Sequence, residues 1–192
     1  NIWSFTVTAE DGVTTAVYTV TVNTAALPEP ITPGVDNKKP ASKPEVKLPF
    51  TDVSTSDWFY DDVAFVYENG LFSGTDSRSF SPNASMTRAM LVTVLYRLEG
   101  EPTVTGRSSF TDVRSGAYYE KSVIWAAANG IVTGTDSTSF SPDAKVTREQ
   151  LAAILYRYAQ YRKLDTDASA KLNSFTDADS VSAYASEALG WA

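Results

Sequence analysis

The sequence predicts a mostly α-helical protein of tandem helix–loop–helix units, with a β-hairpin at its N-terminus. Three observations carry this reading. A block of residues recurs at a fixed offset, apolar residues inside each copy fall at helical spacing, and residues 3–22 alternate with a period of two. Phe50-Thr51-Asp52-Val53 returns as Phe110-Thr111-Asp112-Val113, and the offset of 60 holds without a gap through Arg97 and Arg157. Residues 50–99 and 110–159 share 22 identities, where chance gives about three on ordinary residue frequencies. Duplication accounts for that excess. A third copy opens at Phe175-Thr176-Asp177 and runs through Tyr184, Leu189 and Trp191 to residue 192, inside its first helix.

The hairpin comes first in the chain. Trp3, Phe5, Val7 and Ala9 alternate with Ser4, Thr6 and Thr8, and Ala16, Tyr18, Val20 and Val22 alternate with Thr15, Thr19 and Thr21. Alternation gives each strand one apolar and one polar face, and Asp11-Gly12 between them tolerates positive φ. A lone hairpin is marginal in water, so residues 1–24 are expected to close a β-sandwich. A hairpin docked on the rest of the chain is the alternative. From residue 25 to 49 the composition changes: Pro28, Pro30, Pro33, Pro40, Pro44 and Pro49 mix with Lys38, Lys39, Lys43 and Lys47. Proline fixes φ and removes a donor, so this stretch is expected to run extended as a spacer of about 60 to 70 Å. A PxxP ligand or a basic wall-binding strip is its functional alternative.

Within the first unit, residues 50–100, Val63, Val66 and Tyr67 mark one apolar helical face, and Gly70 stops the helix. Asn129-Gly130 repeats the stop in the second unit, residues 110–160. A turn-rich loop follows, Gly74-Thr75-Asp76-Ser77 to Phe80-Ser81-Pro82, matched by Gly134-Thr135-Asp136-Ser137 to Phe140-Ser141-Pro142, with one aromatic expected to plug the core. Thr87 and Thr147 are placed to cap a second helix. Its apolar faces are Leu91, Val94, Leu95 and Leu98, and Leu151, Ile154, Leu155 and Tyr158. Neither unit can bury its stripe alone, so the units are expected to pack on one another. The third, residues 175–192, is incomplete.

Composition removes several kinds of chemistry. The 192 residues contain neither Cys nor His, which excludes disulfides, thiol nucleophiles, Ser-His-Asp triads, haem ligation and the usual zinc sites. No cofactor or metal is expected; Asp177-Ala178-Asp179 lacks the remainder of a calcium loop. A net charge of −7 leaves no basic stripe for a nucleic-acid backbone. No run of about 18 apolar residues and no basic leader is present, so neither a membrane span nor a signal peptide is expected within the sequence. Both ends are expected to cut through structural units, so an export signal upstream stays open.

The order Phe-Thr-Asp-Val, an aromatic near the first helix, Asn-Gly-Leu/Ile, Gly-Thr, Phe-Ser-Pro and Thr-Arg resembles the S-layer homology domain. Residues 1–24 resemble the closing strands of cadherin-like or immunoglobulin-like sandwiches of bacterial surface proteins. The first resemblance implies a pseudo-threefold helical bundle outside the cell membrane, at the cell wall or S-layer of a bacterium. It also implies non-covalent attachment of its host to secondary cell-wall polysaccharide, often a pyruvylated one.

The candidate site rests on Thr87-Arg88 and Thr147-Arg148. A helix start offers unpaired N–H groups and the positive end of the dipole, and a guanidinium beside it can grip a carboxylate in bidentate fashion. The alternative is that Thr only caps while Arg lies on the surface or pairs with an acid. The resemblance implies that Thr-Arg contacts ligand. Met90 and Gln150 replace the Glu of the usual Thr-Arg-Ala-Glu pattern; Gln150 is expected to close a capping box and Met90 is not. Trp58, Tyr118 and Tyr184 form one equivalent aromatic set, expected in the core, and Phe65, Trp125 and Trp191 a second. Trp125 is a candidate wall of a sugar groove, with core packing as its alternative. Gly70 and Gly130 are helix stops or points of close approach to ligand.

Other classes compete with this reading. A glycosidase needs two carboxylates about 5 to 9.5 Å apart, but Asp61 and Asp62 become Lys121 and Ser122 in the next copy, and neighbours on a helix do not face one another. Asp76 and Asp136 are weaker nominees, and no catalysis is expected. A helical-repeat scaffold for protein partners, and an accessory anchor for an upstream polysaccharide-degrading enzyme, remain alternatives. The incomplete third unit is expected to favour self-association.

Overall fold

The computed structural model describes residues 2–8 and 15–21 by their backbone, and 47–167 and 170–192 with side chains. The chain divides into two compact units, residues 1–45 and 46–192. In the first, strands β1 (Ile2–Thr8) and β2 (Thr15–Thr21) pair antiparallel, with Ile2 opposite Thr21 and Thr8 opposite Thr15. The expected Asp11-Gly12 turn and the Pro/Lys-rich spacer before Lys47 lie outside the described residues.

The second unit is helical: α1 (Tyr60–Glu68), α2 (Arg88–Leu98), α3 (Glu120–Ala128), α4 (Arg148–Tyr161) and α5 (Ser186–Trp191). Two single turns of 3₁₀ helix, Leu172–Ser174 and Ala178–Ser180, precede α5. Helices α1 and α3 end at Asn69 and Asn129, and the following Gly70 and Gly130 take φ of 68° and 70°. That is the left-handed stop expected from Asn-Gly.

The two loops between helices share their main hydrogen bonds. Asp52 accepts from the N–H of Phe80 and Ser81 at 2.9 and 2.8 Å, and Asp112 from Phe140 and Ser141 at 2.9 and 2.7 Å. Thr51 N–H donates to the Arg78 carbonyl, Thr111 N–H to that of Thr138. Each aspartate thus ties the start of its unit to the Phe-Ser-Pro turn, with Ser81 and Ser141 at φ of 62° and 58°.

The main core is built from the second unit with helix α2 of the first packed into it. Leu91, Val92, Leu95 and Tyr96 of α2 pack with Val123, Trp125 and Ala126 of α3, Ile154 and Tyr158 of α4, and the loop residues Phe110, Ile131 and Phe140. Burying one such side chain is worth roughly 1.5 to 3 kcal/mol. The expected stripe on α2 is therefore too narrow: Val92 and Tyr96 are buried as well, while Leu98 is exposed. Helix α3 packs along this wider face.

Polar ties join the units too. The Arg162 guanidinium meets Glu99 at 2.6 Å, Tyr158 Oη donates to the same carboxylate, and Thr93 and Ser122 hydroxyls lie 3.0 Å apart in the interior. Burial pushes the Glu99 carboxyl up, but the Tyr158 and Arg162 hydrogen bonds outweigh it and hold Glu99 below its ordinary value. Helix α5 packs on α4 through Ala188 against Ala152 and Ala153. Glu149 accepts from Ser182 N–H at 2.8 Å and Tyr184 Oη at 3.1 Å, fastening the last segment to the start of α4.

The first aromatic set is not core. Trp58, Tyr118 and Tyr184 are exposed, Trp58 to 88%. In the first two, the next residue takes the inward position: Phe59 and Tyr119 meet their neighbours edge-on at 5.4 and 5.0 Å, and Tyr119 is buried. Of the plug residues, Phe140 is fully buried and Phe80 partly so.

Candidate functional site

Thr87 and Thr147 cap α2 and α4 as expected, each accepting from the backbone N–H three residues on, Met90 or Gln150, at 3.2 Å. Both boxes close: Thr147 N–H reaches Gln150 Oε1 at 3.4 Å, and Thr87 N–H reaches the Met90 sulfur at 3.5 Å. The expectation that Met90 could not serve is corrected, because thioether sulfur, a weak acceptor, still fills the place.

The start of α2 does not present free donors. Arg88 N–H donates to the Ala144 carbonyl at 2.9 Å and Ala89 N–H to that of Pro142 at 3.0 Å, while Met90 and Leu91 N–H go to Thr87. The first turn of α2 is docked on the second unit's Phe-Ser-Pro loop. At α4, no described residue accepts from the backbone N–H of Arg148 or Glu149, and the Arg148 side chain is exposed.

Arg88 is 4% exposed. Its Nε donates to the Phe140 carbonyl at 2.8 Å and its guanidinium carbon sits 4.8 Å from the centre of the Phe140 ring. These contacts fix the side chain with its far end at a cleft of about 320 Å³. The lining comprises Arg88, Thr133-Gly134-Thr135, Gln150, Arg157 and Tyr184, with Val132, Ala153 and Ile154 behind. Burial lowers the Arg88 pKa; Tyr184 and Asp112 oppose this, and the positive charge of Arg157 adds to it. A guanidinium stays protonated regardless. Neither Arg88 nor Arg157 forms an ion pair among the described residues. The cleft thus gathers two cations, hydroxyls and an amide on an apolar floor, a set suited to an anion carried on a polar, ring-shaped ligand.

A second cleft repeats this one in the first unit. Phe72, Ser73-Gly74-Thr75, Met90, Val94, Arg97 and Tyr118 stand at matching positions, and the volume is about 510 Å³. Here Arg97 is engaged: its Nη1 donates to the Leu71 carbonyl at 3.0 Å and its Nε lies 3.9 Å from Glu101.

Of the residues singled out from sequence, Arg88 lines the second-unit cleft and Thr87 anchors the turn that delivers it. Arg148 with Thr147 lies outside both clefts. Trp125 is 3% exposed, packed against Tyr96 and Tyr161 at 5.7 Å each, and lines neither cleft. Gly70 and Gly130 also line neither, with open space around each. Gly74 and Gly134 instead belong to the cleft walls. A Cβ on Gly134 would stand 2.6 Å from the Ser139 carbonyl oxygen, at φ of 82°. The residues missed from sequence are Arg157 and Tyr184. Arg157 was legible as an identity with Arg97 inside the apolar stretch of the second helix; Tyr184 needed the third segment's placement.

Residues 49–89 and 109–152 match the S-layer homology domain, so the chain belongs to the proteins that carry this domain. Among curated relatives it is 32% identical over 142 residues to an endoglucanase of Bacillus sp. (strain KSM-635), covering 74% of this chain and 15% of that enzyme. It is 31% identical over 137 residues to the surface-layer 125 kDa protein of Lysinibacillus sphaericus, covering 68% and 11%. A cellulosome-anchoring protein of Acetivibrio thermocellus is 27% identical over 115 residues, covering 57% and 26%. The chain thus spans a small part of each relative.

Proposed function

We propose that the chain is a non-catalytic anchoring module at the bacterial cell surface, whose second-unit cleft holds an acidic, carboxylate-bearing sugar of a cell-wall polysaccharide. The family match and the names of the surface-layer and cellulosome-anchoring relatives support the anchoring role. The convergence of Arg88 and Arg157, unpaired by any described carboxylate, on a hydroxyl-lined cleft carries the acidic ligand. A ketal-linked pyruvate has the required carboxylate on a sugar ring. The S-layer homology units are read as residues 50–100 and 110–160, with residues 175–192 the start of a third in a pseudo-threefold bundle. Residues 1–24 are read as the last strands of a β-sandwich, joined by the spacer 25–49.

Enzymatic activity belongs, in this reading, to other parts of such relatives as the endoglucanase, of which the matched segment is a small share. The testing experiment is sedimentation with purified cell wall, compared with wall stripped of its secondary polymer. Binding to intact wall alone is expected. Equal retention by stripped wall overturns polysaccharide recognition and leaves the protein-scaffold alternative.

A further inference from the structure

The second-unit cleft draws its walls from three segments of the chain. Arg88 comes from the first unit, Gln150 and Arg157 from the second, and Tyr184 from the third. The cleft is complete only while residues 175–192 are docked on α4.

That third segment is held less firmly than the two units before it. Its opening Phe175 is exposed, whereas the counterparts Phe50 and Phe110 are buried. Tyr118, at the matching place in the first cleft, is followed by the buried ring of Tyr119; Tyr184 is followed by the small Ala185. Tyr156 Oη donates to Glu187 at 2.8 Å and secures α5 itself. At the Tyr184 end the hold comes from Glu149. One oxygen of its carboxylate accepts from Ser182 N–H at 2.8 Å and the other from Tyr184 Oη at 3.1 Å. The first unit has Ala89 at this place, so the grip belongs to the second copy and not to the repeat. Glu149 itself lines neither cleft.

We propose that Glu149 is a positioning residue for the acidic ligand: it latches the third segment, sets Tyr184 as a wall of the cleft, and so couples ligand binding to the docking of residues 175–192. This rests on the acidic-glycan reading of the cleft proposed above. A cleft assembled for only a fraction of the time binds with its affinity reduced by that fraction. By reciprocity, a ligand that needs Tyr184 in place holds the segment down. Charge alone predicts the opposite effect for this residue. Removing a carboxylate beside a cationic cleft favours an anion, whereas releasing the latch disfavours it, so the direction of change separates the two.

The test is an NMR titration with a methyl hexopyranoside carrying a 4,6-linked pyruvate ketal, read at the Arg157 Nε–H and the Ser182 backbone amide. In the wild type both signals are expected to move with one affinity. Glu149→Ala is expected to weaken binding by about fivefold or more, and Glu149→Gln, which keeps an accepting oxygen without the charge, is expected to restore it. In a Tyr184→Ala background the Glu149→Ala exchange is expected to add less than about twofold, because its effect passes through Tyr184. A Ser182 signal silent to the probe, unchanged or tighter binding by Glu149→Ala, a loss that Gln does not rescue, or a full loss that persists without Tyr184 overturns the latch while leaving acid binding at Arg157 intact. An Arg157 signal silent to the probe in the wild type instead overturns the acidic reading beneath it.

Discussion

Arg88 and Arg148 hold the same place in the duplicated sequence, yet one is buried under a neighbouring loop and the other is exposed. Arg88→Ala removes a charged hydrogen bond to the Phe140 carbonyl and the stacking on its ring. The expected loss of stability is about 1.5 to 3 kcal/mol, read by urea denaturation, and Arg148→Ala is expected to change stability by less than about 0.5 kcal/mol. Equal effects would contradict the docking of α2 on the second unit. The Thr-Arg helix starts were legible because their capping chemistry is local. Which of the two arginines is buried under a neighbouring loop was not, since that depends on Pro142 and Ala144, more than 50 residues away from Arg88.

At the scale of elements, the loops that shape the clefts depend on backbone geometry that few residues tolerate. Gly134→Ala forces a Cβ against the Ser139 carbonyl at positive φ, so a destabilisation above about 1 kcal/mol is expected. Gly130→Ala, with open space, is expected to cost less; a reversed order in thermal melts would contradict this wall structure. The stops of α1 and α3 followed from Asn-Gly, and the starts of α2 and α4 from Thr-Arg. The burial of Tyr119 in place of Tyr118 did not, because two adjacent aromatics give no periodicity to choose between them.

The loops also titrate. Hydrogen bonds from the backbone N–H of Phe80 hold Asp52 below its ordinary carboxylate value, as those of Arg78 and Thr138 do for Asp76 and Asp136; Ser182 does the same for Glu149. A carboxylate with a depressed folded pKa binds fewer protons folded than unfolded. Its contribution is complete above the unfolded value near 4 and is lost as pH falls through the folded one. The melting temperature is expected to be flat between about pH 7 and 5 and to fall below about pH 4. A melting temperature that rises on acidification would contradict the loop assignments.

For the whole molecule, duplication and amphipathic spacing made the helical class and the packing of unit on unit legible, and the core between α2, α3 and α4 follows from them. The chemical difference between the clefts was not legible, because it arises from single exchanges such as Glu101 to Tyr161 whose partners are set by the fold. Exposed Phe65, Leu98, Leu164 and Phe175 give the molecule apolar surface beyond its core. Association at high concentration is expected in size-exclusion chromatography with light scattering, and a monomer at all concentrations would contradict it.

The central claim is that an acidic glycan is held between Arg88 and Arg157. Arg157 is only partly buried and has no structural partner among the described residues, so Arg157→Ala separates binding from folding. Calorimetric titration with purified wall polysaccharide is expected to show at least a tenfold loss of affinity in this variant, with an unchanged melting temperature. Unchanged affinity in the folded variant would contradict the account.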